Sequence, residues 1–251
     1  MLNPEIAIQG VAGLPEVDPG TRLGPLISEA LKRQSIEVEA NNIFVVAQKI
    51  VSKAEGDMVR LAAVVPSIRA ESWARSWDKD PRLVEVVLRQ SRRIVRMERG
   101  VLIAETHHGF VCANAGVDAS NTPEGSVTLL PQDPDLSAEE IRLDIEKAFE
   151  VPVGVIVTDT FGRPWREGLV NVALGVSGVC ARVDYRGERD SFGKPIRLTV
   201  MALADELAAA AGLLMAKTNR MPVVQIRGIR RPSEDQNAQG LVRSAERDLF
   251  R

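Results

Sequence analysis

The order of apolar and polar residues along the chain predicts a mixture of strands and helices. Alternation over 5–11 and β-branched runs over 43–51 and 153–159 are typical of strands. Helical spacing predicts helices over 22–33, over 67–94 in two pieces, over 137–150 and over 200–216. Further strands are expected at 94–97, 101–106, 109–113 and 222–228. Strands and helices do not alternate strictly, which favours an α+β fold with largely antiparallel sheets over a doubly wound sheet.

Local signals set several of these boundaries. A polar turn over 52–56 is expected to end the second strand, and the three short strands between 94 and 113 are expected to form an antiparallel meander. Asp80 before Pro81 predicts a helix start, and Ser137 with Glu140 predicts a capping box. The face of the last helix that is predicted to be buried consists of Leu203, Leu207, Ala210 and Leu214.

Composition is that of an ordinary globular protein. The 251 residues are 45% hydrophobic and 26% charged, and they suffice for one large domain or two intimately packed subdomains. A net charge of −2 gives no reason to expect nucleic acid or an anionic membrane as a partner. The N-terminus lacks the pattern of a signal peptide, so a cytoplasmic location is expected. Cys112 and Cys180 are expected to be reduced and buried.

Residues 107–125 hold both histidines and a run of small and amide residues around one carboxylate, Asp118. His107 and His108 are predicted on a strand, where adjacent side chains point to opposite faces and cannot share one ion. Asp118 is flanked by Asn114 and Asn121, with Gly116 allowing close approach of the backbone, a set that suits a divalent cation and phosphate. From spacing alone, an Asx turn is the simpler interpretation.

A second carboxylate, Asp159, follows an apolar strand and is next to Thr160. A carboxylate beside a hydroxyl at the end of a buried strand is a combination that holds magnesium on a nucleotide. Arg163 and Arg166 follow, and their guanidinium groups suit a carboxylate or a phosphate. A charged surface turn would explain the arginines but not the position of Asp159, so the functional interpretation is preferred.

Two further groups of charged residues are less specific. Lys49 and Lys53 follow the second predicted strand, where Lys53 could provide a point charge for phosphates or be an ordinary solvated lysine. The stretch 184–193 mixes acidic and basic residues around the only tyrosine. Such runs usually face water, so this stretch is retained only as a rim that could contact substrate.

Taken together, these motifs resemble the coenzyme F-420 gamma-glutamyl ligase family, from about residue 6 to residue 250. The resemblance is carried by 13-GLPEV-17, 48-QKIVSKAEG-56, 109-GFVCANAGVDASN-121, 157-VTDTFGRPWREG-168, 184-DYRGERDSFG-193 and 204-ADELAAAAGLLMAK-217. It implies a GTP-dependent ligase that adds L-glutamate to a deazaflavin coenzyme precursor, with the addition of further γ-linked glutamates left open. It also implies a family-specific α+β fold and a homodimer.

The resemblance further implies the residues of the site. Asp118, Asp159 and Thr160 match its site for magnesium or manganese, to which potassium is an optional addition. The positions that match its nucleotide contacts are Leu14, Pro15, Glu16, Val17, Gln48, Lys49, Lys53 and Asn121. Lys217 stands where archaeal relatives carry an acidic segment that contributes a metal ligand, and a charged lysine cannot coordinate a metal. We expect either that a second metal is held otherwise or that Lys217 meets the phosphates.

The chain ends at Arg251, and a single ligase domain over 1–251 without a fused flavin-binding domain is expected. The implied mechanism is phosphoryl transfer from GTP to a carboxylate, followed by attack of the glutamate amine on the acyl phosphate, with Arg163 or Arg166 clamping a substrate carboxylate. Two alternatives stay open. One is a nucleotide-binding or metal-binding protein of the same fold without ligase activity, and the other is a ligase that acts on a different carboxylate.

Overall fold

The computed structural model describes residues 5–216, 218–229 and 237–249. The strands are β1 (Ala7–Val11), β2 (Ile43–Ala47), β3 (Met58–Arg60), β4 (Ser91–Glu98), β5 (Val101–Thr106), β6 (Val111–Ala113), β7 (Ser126–Thr128), β8 (Gly154–Arg163), β9 (Arg166–Ser177), β10 (Val183–Asp184), β11 (Val200–Met201) and β12 (Val223–Arg227). The helices are α1 (Leu23–Arg33), α2 (Gln48–Glu55), α3 (Ile68–Trp77), α4 (Pro81–Arg89), α5 (Pro134–Phe149) and α6 (Leu203–Met215). Short 3-10 turns lie at Leu61–Ala63, Asn114–Gly116, Ala238–Leu241 and Ala245–Arg247.

A five-stranded sheet forms the centre of the molecule, in the order β1-β12-β2-β8-β9. Only β2 and β8 are parallel neighbours, and the other three pairs are antiparallel. Apolar residues of α1 and α5 pack on one face of this sheet, and those of α6 pack on the other. The sheet is therefore buried on both faces, as its nearly continuous apolar strands require. The predicted α+β class with largely antiparallel sheets is confirmed.

A second apolar cluster lies beneath α3, α4 and the strands β4 and β5. The strands β4, β5 and β6 form an antiparallel sheet, which confirms the predicted meander. Asp80 caps α4, as predicted, because its side chain accepts a hydrogen bond from the backbone N–H of Arg82 at 2.8 Å. The intimate packing of two subdomains stays a prediction.

The prediction of one strand over 43–51 is wrong in its second half. The strand ends at Ala47, and α2 begins at Gln48. Gln48, Val51 and Ser52 are the buried residues of this segment, a spacing of three and four that only a helix provides. Its β-branched residues had suggested a strand, but their burial follows the helical period.

Three smaller boundaries also differ from the predictions. The helix α5 begins at Pro134 with Asp133 as its cap, so Ser137 lies inside the helix and forms no capping box. The helix α4 ends at Arg89, and β4 occupies the residues up to 94 that were expected to be helical. Three residues of the predicted face of α6 do pack against the core, with Leu207 buried and Leu203 and Leu214 partly buried. The fully buried side of the helix is shifted by about one residue and consists of Ala204, Leu207, Ala208, Ala211 and Met215.

Candidate active site

The parallel pair β2 and β8 brings two of the predicted site segments side by side. Ala47 at the end of β2 is paired with Thr158 of β8. The residues that follow this pair are Gln48, at the start of α2, and Asp159, in β8. Because the carboxyl ends of parallel strands meet at one edge of a sheet, this edge places the beginning of α2 beside the Asp159 segment.

Asp118 is joined to α2 by an ion pair. The Nζ atom of Lys49 lies 2.7 Å from Oδ2 of Asp118, and it also donates to the carbonyl and hydroxyl oxygens of Ser120 at 2.6 Å each. The backbone N–H of Ser120 donates to Oδ1 of Asp118 at 2.7 Å, so the predicted Asx turn is present as well. The turn and the charged contact coexist. The Asx interpretation therefore describes the geometry of the loop without excluding a functional role.

The charge of Asp118 reflects two opposed effects. Partial burial raises the pKa of this carboxyl, but the hydrogen bonds from Lys49 and Ser120 outweigh burial and bring the pKa below its usual value. The group is thus held ionised in the folded protein. An ionised carboxylate on a half-buried loop is a suitable ligand for a hard cation.

Gly116 serves packing in this loop, contrary to the prediction that it lets the backbone approach a ligand. A Cβ atom on Gly116 would lie 2.5 Å from Cγ of Leu130, and the backbone φ of 75° also favours glycine. The space next to this glycine is therefore filled by the protein itself. Asn121 lies three residues after Asp118, is exposed, and has a left-handed φ of 53°.

Asp159 and Thr160 do not follow the end of a strand, because β8 continues to Arg163 in a long hairpin with β9. Adjacent side chains in a strand point to opposite faces. On one face, Asp159 lies close to Cys112 of β6. Burial, in the first place, and the charge of Asp159 together raise the pKa of the Cys112 thiol to about 12. On the other face, the hydroxyl of Thr160 donates to Oδ1 of Asn171 at 3.1 Å.

Arg163 and Arg166 are paired at the outer end of the same hairpin, and both are exposed. Four residues separate Arg163 from Asp159 along β8, which corresponds to about 13 Å between their Cα atoms. Arg163 donates instead to the carbonyl oxygen of Glu167 at 3.2 Å. The structure does not bring these arginines to the carboxylates.

The Leu14–Val17 loop reaches α2 through Glu16. Oε2 of Glu16 lies 3.4 Å from Nζ of Lys53, and its Oε1 lies 3.0 Å from a guanidinium nitrogen of Arg220. Leu14 is half-buried against the core and Val17 is buried, so the loop is anchored at both ends. Pro15 and Glu16 remain exposed between them. The predicted loop and Lys53 are thus neighbours, whereas Lys217 lies outside the described residues.

Gln48 is the most deeply buried of the predicted site residues, with 1% of its surface exposed. Its Oε1 accepts a hydrogen bond from the hydroxyl of Ser52 at 2.8 Å. Its Nε2 is buried and has no hydrogen-bond partner in the part of the chain that the structure describes. A buried amide donor without an acceptor is unfavourable, and an oxygen atom of a ligand would satisfy it.

Metal-binding capacity at this edge rests on a small number of protein oxygens. Within residues 5–216, 218–229 and 237–249, no three His, Cys, Asp or Glu side chains come together in a group that could hold a metal ion. Asp118 and Asp159 are the two predicted carboxylates. Magnesium in nucleotide sites commonly uses one or two carboxylates, completed by phosphate oxygens and water, so this donor set fits such a metal.

Several other predicted candidates have local structural roles. The histidines lie in a turn after β5 and not on a strand, where His107 meets the carbonyl oxygen of Arg89 and His108 meets those of Pro131 and Gln132. In the stretch 184–193, the charged residues are exposed, and Asp184 is paired with Arg186. The free cysteines Cys112 and Cys180 are buried, as predicted.

Four residues that form hydrogen bonds with the candidate site residues were not predicted from the sequence. Ser52 bonds Gln48, Ser120 bonds Lys49, Asn171 bonds Thr160 and Arg220 bonds Glu16. Only Ser120 had a visible signal, since an aspartate two residues before a serine is the spacing of an Asx turn. Ser52 lies one helical turn from Gln48, and Asn171 lies across a hairpin from Thr160, so recognising either contact requires the correct secondary structure, whereas Arg220 contacts Glu16 from a distant segment. Among the described helices, none is long and apolar enough to cross a membrane.

Comparison with known proteins identifies the family of the chain. Residues 12–228 match the family model described as F420-0:Gamma-glutamyl ligase. The chain is 44% identical to the "Coenzyme F420:L-glutamate ligase" of Methanopyrus kandleri, with 99% of this chain and 98% of that protein covered. The protein of the same name from Methanothermobacter thermautotrophicus is 43% identical, with 98% of this chain and 99% of that protein covered. The one from Archaeoglobus fulgidus is 40% identical, with 96% of this chain and 94% of that protein covered. The chain therefore belongs to the F420-0:gamma-glutamyl ligase family.

Proposed function

We propose that this protein is a GTP-dependent ligase that joins L-glutamate to the terminal carboxylate of a deazaflavin coenzyme precursor through an acyl phosphate. The names of its relatives support glutamate and the deazaflavin as substrates. The observation that carries the nucleotide-dependent part is the meeting of Gln48, Lys49 and Asp118 at the edge where Asp159 lies. A buried unpaired amide, a lysine and two carboxylates are complementary to a polyphosphate with its divalent cation.

Asp118 and Asp159 are the residues that would hold magnesium or manganese, with potassium as an optional further ion. Thr160 points to the opposite face of β8, so its hydroxyl would serve a second ion or the phosphates from that side. When bound, the divalent ion supplies charge neutralisation across the phosphates. The protein's own part is to keep both carboxylates ionised and fixed, and for Asp118 the turn at Ser120 does this.

The nucleotide would lie along the start of α2 and the Leu14–Val17 loop. The Nε2 of Gln48 would donate to a nucleotide oxygen, and Lys49 would turn from Asp118 to the phosphates when a metal replaces it at the carboxylate. Lys53 sits beside Glu16, with only 13% of its side chain exposed, and provides a second positive charge. Asn121, exposed after the Asx turn, is positioned as a further contact.

The reaction requires a carboxylate to be activated, because hydroxide is a poor leaving group. Transfer of the γ-phosphoryl group gives an acyl phosphate, and attack of the glutamate amine releases phosphate and forms the amide. The protein contributes positioning and electrostatic stabilisation. Arg163 and Arg166, far from the carboxylates along the hairpin, are proposed to clamp the carboxylate of a substrate that extends outward.

A homodimer is part of the proposal. The hairpin end exposes Trp165 (80%) and Leu169 (64%), and the segment that follows β9 exposes Phe192 (87%) and Leu198 (90%). A contiguous patch of exposed apolar side chains is typical of a surface that binds another protein, and these four residues are proposed to belong to one. A second copy of this chain is the proposed partner.

The experiment that tests the function combines purified protein with GTP, magnesium or manganese, L-glutamate and the deazaflavin precursor. We expect GDP, phosphate and a product that is heavier by one glutamyl unit, detected by mass spectrometry. GDP without a heavier product would refute the ligase assignment, and binding of GTP without turnover would favour a binding protein of the same fold. Activity with another acid but not the deazaflavin would identify a ligase of different specificity.

A further inference from the structure

The edge strand β9 contains a bulge directly beside the proposed metal-binding segment. Val157 is paired with Gly175, whereas the next residue, Thr158, is paired with Ala173. Leu174 is therefore an extra residue of β9, and it is buried with Phe110 and Leu130. Bulges bend a strand and redirect the side chains that follow, and they often lie next to active sites.

One peptide unit of this bulge is held from both sides by side chains. The N–H of Ala173 donates to Oδ1 of Asp205, in the first turn of α6, at 2.9 Å. The carbonyl oxygen of the same unit, which belongs to Val172, accepts from the hydroxyl of Thr158 at 2.7 Å. Thr158 is 1% exposed, so this contact is well shielded from water. A buried amide fixed at both its N–H and its C=O has little freedom to rotate.

The register that follows this peptide unit determines what Asp159 and Thr160 face. Asp159 is paired with Val172, and Thr160 is paired with Asn171, whose Oδ1 accepts from the Thr160 hydroxyl. If the register before the bulge continued, Thr160 would face Val172 instead and would lose the amide of Asn171. The bulge is thus needed for the observed environment of Thr160.

We propose that Asp205 and Thr158 are positioning residues for the ligase reaction. By clamping the Val172–Ala173 peptide unit, they fix the bulge and, through it, the orientation of Asp159 and Thr160. This inference rests on the proposed function only in taking Asp159 as a metal ligand. Neither side chain needs to touch the metal, because both act through the backbone of β9.

The chain offers a matched control for a purely structural role. Asp135, in the first turn of α5, accepts from the N–H of Val176 at 2.7 Å and from the N–H of Ala238 at 3.0 Å. It therefore binds the same edge strand, also from a helix, but on the other side of the bulge from Asp159. Loss of Asp135 should weaken the fold without disturbing the metal-binding segment.

The test measures the binding of manganese to full-length protein that holds a non-hydrolysable GTP analogue, from the electron paramagnetic resonance signal of free Mn²⁺. Asp205→Ala and Thr158→Val should each weaken manganese binding by roughly 10- to 100-fold, the range found when residues behind metal ligands are removed. Asp135→Ala should leave manganese affinity unchanged. Thr158→Ser and Asp205→Asn, which keep the hydroxyl and an acceptor oxygen, should restore it.

The double variant Asp205→Ala with Thr158→Val separates a shared clamp from two independent contacts. Both side chains hold one peptide unit. The manganese affinity of the double variant should therefore be about equal to that of the single variant with the lower manganese affinity. Affinities that are unchanged in both single variants, or lowered equally in Asp135→Ala, would overturn the inference. Asp159→Asn is the reference: if it does not weaken manganese binding, the proposed metal site fails, whatever the clamp variants show.

Discussion

The unpaired amide of Gln48 gives a prediction in which stability and binding change in opposite directions. Its buried Nε2 donor has no acceptor among the described residues, which costs about 1–3 kcal/mol. The hydrogen bond from Ser52 to its Oε1 returns about 0.5–1.5 kcal/mol. Methionine has a similar length and no polar hydrogen. Gln48→Met combined with Ser52→Ala, which leaves no buried hydroxyl without its acceptor, should therefore stabilise the ligand-free protein by roughly 1 kcal/mol and raise the melting temperature by about 2–4 °C.

The same change should weaken nucleotide binding. A hydrogen bond to a charged oxygen is worth about 1.5–3 kcal/mol, so its loss corresponds to roughly 10- to 150-fold weaker binding of GTP. Urea unfolding with and without a non-hydrolysable GTP analogue measures both effects on one protein. The stabilisation that the nucleotide confers should be smaller in the variant at every nucleotide concentration, and the difference should approach about 1.5–3 kcal/mol once the concentration exceeds both dissociation constants.

Gln225 is the matched control, because it is a buried glutamine on β12 whose Oε1 is also unpaired among the described residues. Its Nε2 donates to the carbonyl oxygen of Glu37 at 2.8 Å and to Oδ1 of Asn42 at 2.7 Å. Gln225→Met loses both bonds and should destabilise the fold while nucleotide affinity stays the same. The reasoning is refuted if the variant with Gln48→Met and Ser52→Ala is destabilised as Gln225→Met is, or if it binds the nucleotide as tightly as the wild type.

Other predictions follow from single contacts. Lys49→Met should lower stability at pH 7 by less than about 1 kcal/mol, because Asp118 is 39% exposed. Since the folded carboxyl has a lowered pKa, the ion-pair part of the difference in urea midpoints should begin to shrink near pH 4 and be lost as pH falls through the lower folded pKa. Asp159→Asn should abolish turnover in the ligase assay with the circular dichroism spectrum unchanged; full activity would remove Asp159 from the site. It should also lower the pKa of Cys112 in a thiol-reactivity titration, because the carboxylate charge helps to raise that pKa; an unchanged pKa would contradict the proximity of the two groups. Gly175→Ala should lower the thermal midpoint by several degrees, since its Cβ would lie 2.0 Å from a backbone oxygen at the start of α5, and a midpoint equal to that of the wild type would contradict this packing.

Much of the fold could be predicted because its strands are apolar runs bounded by turn residues. The meander over β4–β6 and the cap at Asp80 follow from short-range patterns that the sequence displays directly. The helix α2 was missed because β-branched Ile50 and Val51 favour a strand, whereas tertiary burial of Gln48, Val51 and Ser52 selected the helix. Eight residues were too few for the helical period to be recognised without knowledge of which side chains are buried.

The sequence offers candidate residues for the site but not their arrangement. Lys49 and Asp118 were both candidates, yet their ion pair joins segments that are 69 residues apart, and no local pattern carries that information. Likewise, the Asx turn and the functional role of Asp118 were weighed as alternatives, although the structure shows that the turn and the charged contact occur together. A turn that fixes a carboxylate is compatible with its use as a ligand.

The course of β8 has the largest consequence for the chemistry. Burial is complete up to Thr158 and decreases from Asp159 onward, which in the sequence resembles the end of a strand. The strand continues because β9 supplies a backbone partner for every residue from Thr158 to Gly162. If Asp159 and Thr160 ended a strand, their oxygens could converge on one ion; within a continuing strand they face opposite sides. Asp159 therefore lies on the face of β8 where α2 packs, while Thr160 lies on the face of Asn171 and α6, and the two side chains do not converge on a single metal ion.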